Sequence, residues 1–231
     1  MKKFVPVIIA ATFLAVSFFL FMDTEENEIE VLDKKCKKGE MQACFILGNL
    51  YSDGGIVDQN LEKAAEMFKR VCKDGFISGC YNIGVMYHHG KGVKPDIEKA
   101  IQLYSISCED EIYEACFHLG HIYSDKEKVK DFERSAFYFE KACNGKHYDS
   151  CNILGVFYSQ GSGVDRDHDK TLELFSRSCD NDNDKGCVLL GHIYSKGEGV
   201  KINKEKAEQA FKKGCGLGNA ISCRALSELK E

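Results

Sequence analysis

The twelve cysteines of this chain fall into six pairs, Cys36/Cys44, Cys72/Cys80, Cys108/Cys116, Cys143/Cys151, Cys179/Cys187 and Cys215/Cys223, each separated by eight residues. The first members recur after 36, 36, 35, 36 and 36 residues. A fixed period of that size marks a repeat array, in which each supersecondary unit buries its apolar face only against its neighbours. A single central core is therefore excluded.

Aligned on the second cysteine, the repeats read CFILGNLY from Cys44, CYNIGVMY from Cys80, CFHLGHIY from Cys116, CNILGVFY from Cys151 and CVLLGHIY from Cys187. Cys, Leu or Ile, Gly and Tyr recur at i, i+3, i+4 and i+7, one face of a helix, here called A. Glycine inside a helix costs up to about 1 kcal/mol against alanine. Gly48, Gly84, Gly120, Gly155 and Gly191 therefore predict a neighbouring helix backbone at close range. A turn with paired glycines comes next, as in HHGKGV from His88 and SQGSGV from Ser159, and then a second helix, B, ending on the first cysteine of the next pair. Its core anchor is an aromatic four residues before that cysteine: Phe68, Tyr104, Phe139, Phe175 and Phe211. The 35-residue interval falls in the third repeat, where Lys126 and Lys128 replace turn glycines and shorten the loop. The expected fold is an all-α solenoid of helix pairs. Its repeats fall at 40–75, 76–111, 112–146, 147–182 and 183–218, between an acidic linker with a capping half-repeat at 23–39 and a capping helix at 219–231.

Eight residues along one helix separate Cα atoms by about 12 Å, beyond the roughly 7 Å that a disulfide spans. Each pair must straddle a helix–turn–helix bend, and intervening stretches such as KDGFISG (73–79) and DNDNDKG (180–186) suit one. Consecutive cysteines are expected to pair, each nine-residue loop adding about 2.5 kcal/mol in the chain-entropy account. The N-terminus agrees with an oxidising compartment. Lys2 and Lys3 precede nineteen uncharged residues, Phe4 to Met22, and then the acids Asp23, Glu25 and Glu26. Such a segment, residues 1–22, directs the remainder of the chain across the inner membrane, as a signal cleaved after Ala15-Val16-Ser17 or as a retained inner-membrane anchor. The chain is thus expected to be periplasmic or secreted, touching membrane only through residues 4–22 if these are kept. Zinc knuckles space cysteines two to four residues apart, so no metal is expected, and no cofactor. A net charge of −5 with scattered Lys and Arg lacks the basic footprint of nucleic-acid binding.

The combination of LGxxY, GxGV and a helix-B Ala with Phe or Tyr at this period is similar to Sel1-like repeats, solenoid relatives of the tetratricopeptide family. With the Cys-x7-Cys pairs and the export segment, the chain resembles the Helicobacter cysteine-rich protein family over about 200 residues. The resemblance implies a right-handed superhelix of disulfide-stapled helix pairs, and penicillin binding with slow β-lactam hydrolysis.

The residues themselves do not supply that chemistry. Serine β-lactamases carry Ser-x-x-Lys, Ser-Asp-Asn and Lys-Thr-Gly. Here Ser227 to Lys230 fits the first alone, and Lys170-Thr171-Leu172 lacks the glycine. His118, His121 and His192 are able to act as acid, base or ligand near neutral pH, although Asn49, Val85, His121, Val156 and His192 share one freely varying slot. No catalytic residue is assigned. Helix A does offer variable positions one, two and five residues after its cysteine, among them Asn49, Tyr81, Asn82, Phe117, His118, His121, Asn152, Val156 and His192. Solenoid curvature lines such positions along the concave side. Exposed rings and amides there suit a peptide, a protein or a peptidoglycan fragment, with a β-lactam as the further ligand the resemblance implies.

Overall fold

The computed structural model describes residues 28–125 and 130–229. Residues 1–22, the expected export segment, and the shortened-loop residues Lys126 and Lys128 lie outside them. Two compact units divide after Leu103, inside one helix. Unit 1 holds α1 (residues 28–37), α2 (Met41–Asp53), α3 (Leu61–Lys73), α4 (Ile77–His89) and the start of α5 (Ile97–Glu109). Unit 2 holds the rest of α5, then α6 (Tyr113–Ser124), α7 (Phe132–Asn144), α8 (Tyr148–Gln160), α9 (His168–Asp180), α10 (Asp184–Lys196), α11 (Lys204–Gly216) and α12 (Ala220–Glu228). Even-numbered helices are of type A and odd-numbered ones of type B. Within each unit helices pack in chain order, α2 on α3 and α3 on α4 in the first, and α6 on α7 through α11 on α12 in the second.

Each bridge ties the end of a B helix to the first turns of the next A helix. Cys36–Cys44 and Cys72–Cys80 lie in unit 1; Cys108–Cys116, Cys143–Cys151, Cys179–Cys187 and Cys215–Cys223 lie in unit 2, with Cα atoms 4.5 to 4.9 Å apart throughout. So close an approach needs small neighbours. The residue before each second cysteine, Ala43, Gly79, Ala115, Ser150, Gly186 and Ser222, is small and buried. A methyl added to Gly186 would lie 2.9 Å from the Cys179 backbone nitrogen.

The glycines inside the A helices serve a different neighbour from the one expected. A β-carbon at Gly48, Gly120 or Gly155 would lie 2.6, 2.7 or 2.5 Å from the ring of Phe68, Phe139 or Phe175, and one at Gly191 would run into Phe211. The close partner is the anchor ring of the repeat's own B helix, not another backbone. Those rings are 0 to 3% exposed, and the core grows around them. In unit 1 Phe68 is buried with Ala64, Ala65, Ile83 and Met86, while Leu32 of the first half-repeat packs on Cys36, Leu47 and Val71. In unit 2 Phe139 is buried with Ala136, Cys143, Cys151 and Leu154.

The loops after the A helices close in one way. The backbone N–H of Asn60, Asp96, Asp131, Asp167 or Asn203 donates to the carbonyl of Tyr51, Tyr87, Tyr123, Tyr158 or Tyr194, at 2.7 to 3.0 Å. The side chain of the same Asx residue caps the following B helix by accepting from the N–H three residues on, at 2.9 to 3.0 Å. That third residue, Lys63, Lys99, Arg134, Lys170 or Lys206, then lays its cation 4.7 to 5.5 Å from the centroid of the same tyrosine. The third repeat keeps the Tyr123–Asp131 closure in spite of its shorter loop.

Candidate functional site

Positions two and five after the second cysteine are three apart on a helix and share a face. In unit 1 that face carries the amides Asn49 and Asn82 beside the aliphatic Ile46 and Val85. Asn82 Nδ2 donates to Asn49 Oδ1 across α2 and α4 at 3.3 Å. The pair lies in a groove of about 260 Å³ together with Ser52, Asp53, Tyr81 and Lys91. This bond uses the oxygen of Asn49 and one amide hydrogen of Asn82, and consumes neither the NH2 of Asn49 nor the carbonyl oxygen of Asn82.

In unit 2 the face carries imidazoles. His118 stacks on Tyr104 at 5.0 Å between centroids. His121 sets its edge against Phe117 at 4.4 Å and Phe139 at 5.1 Å, and His192 meets Phe211 at 5.3 Å. His118 also meets Phe117, at 5.8 Å, so it shares a neighbour with His121, whereas His192 lies two A helices away on α10. Among the described residues no group of three His, Cys, Asp or Glu side chains is placed to hold a metal. Burial pushes the proton affinity of His121 down, and His147 lowers it further. Burial likewise lowers that of His192, helped by Lys196 and opposed by Glu198 and Glu228.

Phe117 and Asn152 do not belong to the open face, contrary to expectation, whereas Tyr81, also one residue after its cysteine, lines the groove of unit 1. Phe117 packs on His147 at 4.4 Å and against the core of unit 2, as Phe45 packs on Phe68 and Phe76 in unit 1. Asn152 is only 5% exposed. Its Nδ2 donates at 2.9 Å to Asn183 Oδ1, which also accepts from Gly186 N and so caps α10. Asn183 Nδ2 donates in turn to Asp149 Oδ1, joined by Lys185 Nζ at 3.3 Å. Burial of Asp149 opposes its ionisation, but the bonds from Asn183 and Lys185 and the charges of Lys185 and His147 outweigh it and hold the carboxyl below its usual range. At Phe45, Phe117 and Asn152 the side chain points along the stack because the next A helix begins there, and so ties repeat to repeat.

Nucleophilic chemistry finds little support. His147 Nδ1 accepts from the Ser150 N–H at 3.3 Å and lies 2.9 Å from Ser150 Oγ. The proton of this imidazole therefore belongs on Nε2, and the Ser–His contact is the cap of α8. Ser150 is fully buried, out of reach of a substrate. Ser227 is exposed and donates to the Arg224 carbonyl at 2.7 Å.

The face residues that sequence reasoning did not single out include Ile46, which is exposed, and Ile153 and Leu189, both half-buried. Their position two residues after Cys44, Cys151 and Cys187 was the available signal. The recurrent Asn or Asp ahead of each B helix, and the Lys or Arg three residues on, were equally readable.

The Sel1 repeat family model matches residues 42–76, 77–111, 114–147, 149–183 and 184–219. The chain belongs to the Sel1 repeat family. Its Sel1 repeats are similar to two Helicobacter pylori proteins, HcpC, 51% identical over 39 residues, and Beta-lactamase HcpA, 41% identical over 46. These matches bear out the resemblance to the Helicobacter cysteine-rich proteins. They take in 17% and 20% of this chain but only 13% and 18% of those relatives. Among solved structures, a Sel1 repeat protein from Oxalobacter formigenes superposes with a TM-score of 0.71 at 21% identity, over 83% of this chain and 76% of that one. The protective antigen c5321 of uropathogenic Escherichia coli, which has the SLR fold, superposes with a TM-score of 0.61 at 24% identity, over 87% and 51%. The fold class is thus the all-α Sel1 solenoid, its helix pairs stapled by disulfides. Six such bridges point to an oxidising, exported environment.

Proposed function

We propose that this Sel1 repeat protein is a binding scaffold of the periplasm or cell exterior that holds a peptide or protein segment on its A-helix faces. The observation that carries the reading is the Asn49–Asn82 pair in its groove. The amide donors left on Asn49 and the oxygen left on Asn82 match the C=O and N–H of an extended backbone. Tyr81 beside them supplies apolar area with a polar tip. Residues 4–22 serve in this reading as a cleaved signal or an anchor.

The test is selection of a displayed random-peptide library on the oxidised protein, repeated with Asn49→Ala/Asn82→Ala. Peptides enriched on the parent and lost on the variant support the reading; equal enrichment on both removes the groove from it.

A second reading, favoured by the similarity to Beta-lactamase HcpA, is slow β-lactam hydrolysis, with penicillin-like amides occupying the peptide or peptidoglycan site. Purified oxidised protein would be assayed with a chromogenic cephalosporin, alongside variants with His118, His121 and His192 each changed to Ala. Turnover at the buffer background removes this reading. Turnover unaffected by the substitutions removes only the histidines.

A further inference from the structure

The A-helix face of unit 2 differs in chemistry from the amide groove of unit 1. Its six positions are His118 and His121 on α6, Ile153 and Val156 on α8, and Leu189 and His192 on α10. His121 as a whole residue is exposed, although its ring lies against Phe117 and Phe139 and is partly screened from water there, and the other five are half-buried. The helices lie side by side: α8 touches α10 directly, and Phe117 of α6 rests on His147 at the start of α8. None of these six side chains carries a formal charge while the imidazoles are neutral. Charged groups stand at helix ends around it, Asp149 with Lys185 at the starts of α8 and α10, Lys196 with Glu198 where α10 finishes, and Glu228 in α12. Helices packed about 8–10 Å apart make three of them span roughly 20 Å, the reach of about six extended residues.

We infer that this face of unit 2 takes the uncharged, aliphatic middle of an extended peptide segment and releases it on acidification. The inference rests on the binding reading above and adds the class of segment and its control. A charged ligand side chain laid over Ile153, Val156 and Leu189 would lose its water with no partner to replace it. An aliphatic one removes apolar surface from water on both sides. Docking also buries the imidazoles further, which opposes their charging. His121 faces His147 from the α7–α8 turn, with Phe117 and Phe139 around it and Asp125 four residues further on at the end of α6; burial and His147 are what disfavour its imidazolium. His192 faces Lys196 on its own helix, Glu198 in the next loop, Glu228 of α12 and the Phe211 ring.

The probe is a displayed library of random octapeptides, selected on the oxidised full chain at about pH 7.5 and then measured as blocked synthetic peptides at about pH 7.5 and pH 5. The expected winners have uncharged aliphatic centres and lose about tenfold in affinity at the lower pH for each imidazolium that must be discharged. His121→Gln/His192→Gln should flatten that pH dependence. Val156→Asp should abolish capture while circular dichroism shows the fold retained; if the fold is lost, competition between a winning peptide and a His121-directed spin label gives the location instead. Winners with charged centres, affinity equal at both pH values, or capture that survives Val156→Asp overturn this inference and leave the scaffold reading standing. A library that yields nothing above an unrelated control protein overturns both.

Discussion

A methyl group at Gly155 would press into the Phe175 ring from 2.5 Å, so Gly155→Ala should destabilise the oxidised protein by about 1–3 kcal/mol despite the better helix propensity of alanine. Gly216, in the last turn of α11 with open space around it, is the control. Gly216→Ala should leave the urea midpoint unchanged or raise it. A second residue-scale expectation concerns the histidines. His121 and His192 bind protons less readily in the fold than in the open chain, first because of burial. The folded state then carries fewer protons than the unfolded one below the ordinary imidazole range. Their contribution is complete above about pH 7 and is lost as pH falls through about 6.5 and lower. Urea midpoints should fall between those conditions, and His121→Gln/His192→Gln should reduce the fall. Both expectations depend on which ring each residue touches, and that contact was not legible: the invariant glycines announced a close neighbour, but a backbone and a ring leave the same trace in sequence.

At the scale of the helix pair, three devices recur on the same short stretch: the Asx cap, its N–H bonded to the tyrosine carbonyl, and the cation over the tyrosine ring. Asp167 performs the first two and Lys170, at 4.7 Å, the third. Asp167→Ala should cost about 0.5–2 kcal/mol, read from chemical denaturation, because an N–H of α9 loses its acceptor. Asp167→Asn should restore most of it, as Asn60 and Asn203 already fill that place elsewhere. The periodic Asx was visible in the sequence. Its bond to the tyrosine was not, because backbone pairing across a loop depends on how the loop closes. The A helices are capped unevenly: Phe76 and Ile112 offer no side-chain cap, whereas His147, Asn183 and Asn219 do. Asn183 and Asn219 also reach back to Asp149 and Asp184 of the preceding A helix. Their junctions are therefore polar where that of Phe45 with Phe76 is aromatic.

For the whole chain the decisive quantity is the set of six bridges. At about 2.5 kcal/mol for each nine-residue loop, together they rival the 5–15 kcal/mol or so that separates an ordinary folded domain from its unfolded state. Full reduction by a thiol should therefore abolish most helical circular dichroism at about 37 °C, and reoxidation should return both helix content and consecutive pairing by peptide mapping. Retained helicity in the reduced protein would show that packing alone suffices. The repeat, the helix-pair architecture and the pairing of neighbouring cysteines were determined by the sequence alone, because period and spacing are properties of the chain that survive any choice of neighbours. Which of the variable positions meet solvent was decided only in three dimensions. Positions one, two and five after the cysteine look alike as letters, yet the start of the next A helix covers Phe117 and Asn152 and leaves His121 and Val156 to the open face. Burial at those places belongs to the adjacent repeat as much as to the residue itself, so it could be read only once that repeat was in position.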